Sequence, residues 1–317
     1  MAMIPENWPT LLAPGLRKVF HTRMRSRDAN FKRTSIFPVE TSTRAYEDYQ
    51  GVGELGSDGW SQFEKTGRVS YDGFEAGWKT RLEHREFAKG VTIQRKLLED
   101  ALYPAAGIPN SVNSRVEKLA DSAAVHRERS AAEIFINAFT DSGVDSDGFS
   151  VAGADSVGLC STAHPATPSN SSTQSNEGTL ALTSANVSAT RLLMRAFTDD
   201  RGELIVVNPD LLLVPPELEE TALQIVGTDL EVGSANNTIN TNKNRYEVVS
   251  WDYLSDANAW FLIDKMLRDQ HLVWLDRTAP EFQSTSDFDT LQAKFRGYSR
   301  FSRGFSGWQW IYGNNPS

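Results

Sequence analysis

The chain has 317 residues, 39% of them hydrophobic and 23% charged, a globular balance with room for one large domain or two ordinary ones. A net charge of −9 argues against a bulk nucleic-acid binder, and the single cysteine, Cys160, excludes an internal disulfide framework. No signal peptide is evident, and no apolar run approaches the roughly 18 residues of a membrane span, so no membrane partner is expected.

Residues 1–50 read as an N-terminal arm. Pro5, Pro9, Pro14 and Pro38 interrupt it, apolar residues are sparse, and a short helix is expected over Pro14–Met24. Between Gly15 and Ser35 seven basic residues (Arg17, Lys18, Arg23, Arg25, Arg27, Lys32 and Arg33) face one acid, Asp28; that segment carries +6 and the remainder of the chain −15. Such an arm is either solvated or meets an acidic partner or a neighbour's acidic surface, rather than reading specific DNA.

Gly51–Thr92 reads as a long, polar, glycine-punctuated β-hairpin carrying Trp60, Phe63, Tyr71, Phe74, Trp78 and Phe87. Two arms of roughly 18 residues, at about 3.3 Å per residue, reach about 60 Å. A lone two-stranded ribbon is marginal in water and needs a surface to lie on. If a neighbouring copy supplies that surface, the chain is built to assemble.

A short helix is expected over Thr92–Tyr103, stopped by Pro104. The clearest element follows. Ser114-Arg-Val-Glu117 is a capping-box pattern, and Val112, Val116, Leu119, Ala123, Ser130, Ile134, Phe135 and Ala138 recur at helical spacing with His126 on the same stripe. The opposite face carries Arg115, Lys118, Arg127, Glu128 and Arg129. Roughly 28 residues give a helix about 42 Å long, suited to lie across a sheet, with His126 packed against it.

Asp141–Thr179 is a Ser/Thr/Gly/Asn/Asp-rich loop or loose hairpin. A compact α/β pattern comes next: helix Ser184–Phe197, strands Glu203–Val207 and Leu211–Val214, and helix Glu217–Val226 opened by Pro215-Pro216. After the polar loop Gly227–Asn244 come strands Tyr246–Trp251, Ala259–Ile263 and Leu272–Leu275. The last segment, Asp289–Tyr312, is aromatic and extended, and its side-chain parity changes at Gly304 and Gly307, where a bulge or bend is expected. An ordinary core strand explains Trp308, Trp310 and Tyr312 better than a stacking platform for single strands with Arg296, Arg300 and Arg303.

Chemical motifs are sparse. The chain has no phosphate-binding G-x-x-x-x-G-K-[ST] loop, dinucleotide fingerprint or nucleophile elbow. Cys160 and His164 are the one pair resembling nucleophilic or metal chemistry, but no second ligand cluster stands nearby. Asp141, Asp145 and Asp147 hint at a calcium loop whose spacing fails at Gly143 and Ala154. Glu217, Glu219 and Glu220 suit the first turn of a helix. No catalytic, cofactor or metal residue is therefore expected.

The order of elements and several motifs resemble the major capsid protein of tailed bacteriophages, most closely its Mu-like major head subunit branch. The residues concerned are Ser70-Tyr-Asp-Gly-Phe-Glu-Ala-Gly-Trp78, His84-Arg-Glu-Phe-Ala-Lys-Gly-Val91, Ala131-Ala-Glu-Ile-Phe-Ile-Asn-Ala-Phe-Thr140 and Leu159-Cys-Ser-Thr-Ala-His-Pro165. Pro209-Asp-Leu-Leu-Leu-Val-Pro-Pro-Glu-Leu218, Ser250-Trp-Asp-Tyr-Leu254, Trp260-Phe-Leu-Ile263 and Gly307-Trp-Gln-Trp-Ile-Tyr-Gly313 complete the series, from about residue 40 to the end. The resemblance implies an α+β fold with an N-terminal arm (1–50), an extended loop (51–92), and a peripheral domain (93–180) holding a spine helix at about 113–140. An axial α/β domain (181–280) and a C-terminal strand (281–317) returning to the peripheral domain follow.

It further implies a subunit that self-assembles through pentamers and hexamers into an icosahedral shell enclosing double-stranded DNA, made in the host bacterial cytoplasm and resident in the virion. Implied partners are other copies, a separate scaffolding protein, a portal and a possible decoration protein. On this reading Trp60, Phe63, Tyr71, Phe74 and Trp78 make intersubunit contacts. Two alternatives are a cellular nanocompartment shell of the same fold and a soluble oligomeric enzyme using Cys160 and His164.

Overall fold

The computed structural model describes residues 8–53, 55, 60, 62–69, 71, 73–94, 111–230, 238–287 and 289–316, with the backbone alone for 8–12, 66 and 111. In chain order the elements are α1 (Trp8–Asp28), α2 (Arg33–Ile36), β1 (Val39–Thr41), β2 (Tyr46–Val52), α3 (Phe63–Thr66), β3 (Ala76–Glu83), β4 (Arg85–Gln94) and α4 (Ser111–Ile136). The short strands β5 (His164–Pro165), β6 (Thr173–Gln174) and β7 (Glu177–Gly178) precede α5 (Ser184–Met194), β8 (Leu211–Val214), α6 (Glu219–Gly227), β9 (Glu247–Ser250) and β10 (Trp260–Ile263). The chain finishes with α7 (Lys265–His271), β11 (Leu272–Asp287), β12 (Gln292–Phe305) and β13 (Ile311–Asn314).

Two compact units emerge. The first comprises the described residues through Ala45, Glu83–Ala131 and Trp274–Ser302. Its four-stranded sheet has the order β1-β11-β12-β4, with β4 antiparallel to β12 over ten residue pairs from Gln292↔Gln94 to Phe301↔Arg85. Two helices cover one face. Leu16, Phe20 and Met24 repeat every four residues along α1, and they meet Val112, Val116, Leu119 and Ala120 of α4 over Ile93, Phe282, Ala293 and Phe295 of the sheet. This burial accounts for α1. Its propensity is poor, with Pro14 inside it, but an apolar stripe buried against a sheet outweighs a missing hydrogen bond. The expected short helix is thus 21 residues long.

Further along the same unit Trp274 stacks on Phe301, ring centroids 4.5 Å apart, and lies under the guanidinium groups of Arg33 and Arg127. Arg127 donates to both oxygens of Asp276 at 2.8 and 2.9 Å, and Glu128 accepts the backbone N–H groups of Lys32 and Arg33. Arg127 and Glu128 are therefore buried, not part of the solvated face that helical spacing gives them. His126 is half-buried between Phe87 and Phe301, as its stripe predicts.

The second unit comprises Tyr46–Leu82, Ala132–Val273 and the chain from Arg303. Its five-stranded sheet has the order β7-β13-β10-β8-β9. The runs Leu211–Val214 and Trp260–Ile263 are buried on both sides, which is why they are apolar throughout rather than alternating. Trp260, Leu212, Val214 and Tyr312 pack with Val187 and Met194 of α5 and Ala222 of α6. Phe135 sets its ring edge-on to Trp251, Phe261 and Trp310.

Several expected elements differ. The extended segment expected over Asp289–Tyr312 is two strands in two sheets, β12 and β13, separated by the turn at Gly307–Trp310. Glu203–Val207 forms only an isolated bridge, Thr198↔Leu204. Thr183, not Ser184, caps α5, and Asp264 caps the unforeseen α7 through the N–H groups of Met266 and Leu267. Thr92 and Ile93 belong to β4, so no helix starts there; the remainder of that expected helix lies outside the described residues.

Candidate assembly site

The hairpin begins with two short strands, β2 and β3. Gly53 N–H donates to Glu75 O at 2.8 Å, and nearer the base Asp48 meets Lys79 and Arg81, so the strands run antiparallel. Seven and eight residues long, they reach about 25 Å, less than half the expected span. The reason is that the return arm breaks at His84: β4 leaves the hairpin to pair with β12, so the ribbon ends where a sheet partner takes over.

A polar clamp holds the base. Arg81 grips Asp48 with two parallel bonds of 2.7 and 2.9 Å, Lys79 adds a third contact at 2.9 Å, and the Arg81 guanidinium lies 4.0 Å over the Tyr46 ring. The bonds from Arg81, then Lys79, hold the Asp48 carboxyl far below the usual carboxylate range. Two glycines let the strands close: a Cβ on Gly77 would stand 2.7 Å from the Gly51 carbonyl carbon. The indole of Trp78, half-buried, donates to the Pro165 carbonyl at 3.3 Å. A cleft of about 470 Å³ beside the base is lined by Gly51, Gly77, Trp78, Asp155, Asp200 and Trp308.

Beyond the clamp the surface changes character. Helix α3 ends at Gly67, whose φ of +58° is the left-handed cap conformation. Trp60 and Tyr71 are each 93% exposed, Phe63 is 61% and Phe74 65% exposed, and Val52 and Val69 stand in water beside them. Four of the five expected contact aromatics are thus presented to solvent; the fifth, Trp78, serves the base of the ribbon. The clamp residues Tyr46, Asp48, Lys79 and Arg81 are absent from the expected set. Their signal is an acid on one arm opposite alternate basic residues on the other, a cross-strand pattern visible only once register is known.

Cys160 and His164 do not form a dyad. His164 Nδ1 faces Asp155 at 2.7 Å, Nε2 faces Asn176 Oδ1 at 3.1 Å, and the ring stacks on Trp308. Cys160 is fully buried, and burial pushes its thiol well up, away from the reactive thiolate. Asp145 is spent on the backbone N–H groups of Asp147 and Phe149 and on Arg303. Among the described residues no three acidic, histidine or cysteine side chains gather as a metal would require, and no helix is long and apolar enough to cross a membrane.

A family model described as phage capsid protein matches residues 80–314. No curated protein matches the chain. Among solved structures, the capsid of the native GTA particle is similar at 14% identity over 90% of this chain and 89% of that one, with a TM-score of 0.54. The bacteriophage JBD30 capsid is similar at 14% identity over 70% and 90%, with a TM-score of 0.53. The virus-like particle from Pyrococcus furiosus is similar at 11% identity over 95% and 98%, with a TM-score of 0.52.

Proposed function

The chain belongs to the phage capsid protein family and is a major capsid shell protein of α+β fold, and on that premise we propose that its exposed hairpin tip fastens one copy to the next. The observation that carries this reading is the tip itself. Trp60, Phe63, Tyr71 and Phe74 stand in water on a ribbon whose base is clamped by ion pairs rather than by a core. Large exposed aromatics rimmed by polar residues mark interaction surfaces. Fully burying each contributes about 1.5–3 kcal/mol, and a central aromatic anchor commonly exceeds about 2 kcal/mol on truncation.

In this scheme residues 46–83 form the extended loop, shorter than the expected 51–92, and α4 is the spine helix. Residues 181–280 supply the axial domain, and the five contact aromatics divide into four tip anchors and one base residue, Trp78. Assembly is icosahedral, through pentamers and hexamers, with the Mu-like head subunits as its branch. A separate scaffolding protein, a portal and a decoration protein are its further partners, and synthesis takes place in the host cytoplasm before the subunit enters the virion.

The alternative of a nanocompartment keeps the fold and changes the contents, with a protein cargo in place of DNA; the likeness to the Pyrococcus furiosus virus-like particle speaks for the shared architecture, and the family match favours the phage head. The test is negative-stain microscopy and sedimentation of the full chain, with and without a candidate scaffold. Wild-type protein forms shells or curved sheets. W60A/Y71A keeps its thermal unfolding curve but stays as small species; normal assembly by that variant overturns the tip as the contact.

A further inference from the structure

The two helices that roof the sheet of the first unit share an outer face of one charge. Opposite the buried Leu16, Phe20 and Met24, α1 presents Lys18 and Arg25 to solvent, and Arg17 is exposed at the edge of the buried stripe. Outward of Val112, Val116 and Leu119, α4 presents Arg115, Lys118 and Arg129. Both helices cover the same sheet face, so the two rows of cations lie on the same layer.

The acids of this layer are few, and one of them, Glu133 near the end of α4, accepts from Asn137 and Ser146. Asp121, between the helices, is held by two arginines, Arg23 at 2.7 Å and Arg27 at 3.0 Å, and so leaves an excess positive charge. Glu128 is buried on the Lys32 and Arg33 backbone, and Asp28 faces Arg33 at 3.6 Å. Glu117 is half-buried, and its charge is felt by Arg23. Among the described residues no carboxylate pairs with Arg17, Lys18, Arg25, Lys118 or Arg129, and Arg115 gives one donor to the Thr92 carbonyl. The field is already felt: burial, then Arg25 and Arg17, lower the pKa of His21.

The geometry points to the phosphate backbone of double-stranded DNA as the partner of this face, bound without reading sequence. Two observations favour DNA over an acidic protein. First, the cations run in rows, about 12 Å from Arg17 to Arg25 and about 21 Å from Arg115 to Arg129, which suits a continuous polyanion. Second, the residues beside them (Pro14, Gly15, Thr22, Ser26, Ser114 and Ser122) are small or polar, and among the described side chains of α1 and α4 no large hydrophobic is exposed. Protein interfaces rest on buried apolar anchors; the described side chains of this face offer none. Phosphate binding needs only charge and hydrogen-bond donors. The net charge of −9 conceals this, because the acids lie elsewhere. The inference is independent of the hairpin contact.

The test is fluorescence anisotropy of the full-length, unassembled chain with labelled 30-base-pair duplexes of unrelated sequence, across a salt series. Duplexes of different sequence should bind equally. The logarithm of affinity should fall with the logarithm of salt at a slope of about −0.9 per phosphate neutralised, about −3 to −5 for this face. K18Q/R25Q/K118Q should bind at least about tenfold more weakly at low salt, with a slope shallower by about 2 to 3. A melting curve establishes that the variant is folded, and R195Q, on the second unit, should bind as wild type does. Absence of binding at low salt, equal binding by the triple variant, or tighter binding of poly-L-glutamate than of DNA would each overturn the proposal. Shell formation, read separately by microscopy, keeps failure here distinct from failure of the capsid reading.

Discussion

The hairpin tip and the five-stranded sheet are both rich in large aromatics, and the two regions treat them in opposite ways. Trp260 and Trp310 are wholly buried and Phe261 almost so, whereas Trp60 and Tyr71 are almost wholly exposed. The difference lies in the neighbours. Trp260 heads the apolar run Trp260–Ile263, every residue of which is buried. Trp60 and Tyr71 have glycine and charged residues around them in sequence and no apolar run to join. An aromatic inside an apolar run is buried in its own subunit; one on a polar ribbon finds no core there and stands in solvent.

The largest effect that tests this contrast is on folding. Trp260→Ala removes a side chain packed among Leu212, Val214 and Tyr312 and bonded through its indole N–H to the Leu180 carbonyl at 2.8 Å. It should cost about 3–5 kcal/mol, read by chemical denaturation of unassembled subunits. Trp60→Ala should change the same denaturation midpoint by no more than about 0.5 kcal/mol, yet weaken association by about 2 kcal/mol, on the order of 30-fold. If the two substitutions cost subunits equally, the division between folding and assembling aromatics fails.

The next effect is on the ribbon. Gly77→Ala places a methyl group 2.7 Å from the Gly51 carbonyl carbon and 2.9 Å from its oxygen. Backbone must move to relieve that contact, at about 1–3 kcal/mol. The damage should stay local: faster proteolysis between β2 and β3, with the sheet's near-ultraviolet tryptophan signal retained. Loss of the sheet signal would mean that the ribbon and the sheet fold as one.

What could be read in advance divides along the same line. The strands Leu211–Val214 and Trp260–Ile263 and the helix Ser111–Ile136 were legible because each is specified by its own pattern, an apolar run or a stripe at helical spacing. The aromatic tip was legible because its aromatics lack apolar company. The extent of the hairpin was not, because β4 is taken from it by β12, whose residues lie about 200 positions later. Nor was the burial of Arg127 and Glu128, whose partners Asp276, Lys32 and Arg33 are 95 to 149 positions away. The basic residues of α1 and α4 were each visible in sequence, but only the shared core shows that their two helices cover one sheet face. Long-range pairing, not local propensity, separates the two classes.

The smallest effect concerns the clamp, and its sign follows from the direction of the Asp48 shift. The Arg81 and Lys79 bonds lower the folded-state pKa of Asp48 far below its unfolded value of about 3.9. A carboxylate shifted down contributes stability that is complete above the unfolded pKa and is lost only as pH falls through the folded one. The clamp should therefore be intact at pH 5 and persist below pH 4, where ordinary surface carboxylates have taken up protons. Because Asp48 is solvent-exposed and salt screens its ion pairs, the loss is a loosening of the ribbon rather than unfolding. A carboxyl NMR titration of the unassembled subunit should find Asp48 still ionised below the unfolded value of about 3.9. Asp48→Asn should reproduce the loosening at neutral pH, with backbone exchange rising in β2 and β3 and unchanged in β8 and β10. An Asp48 that titrates at the unfolded value of about 3.9 would show that the clamp does not hold the ribbon in solution.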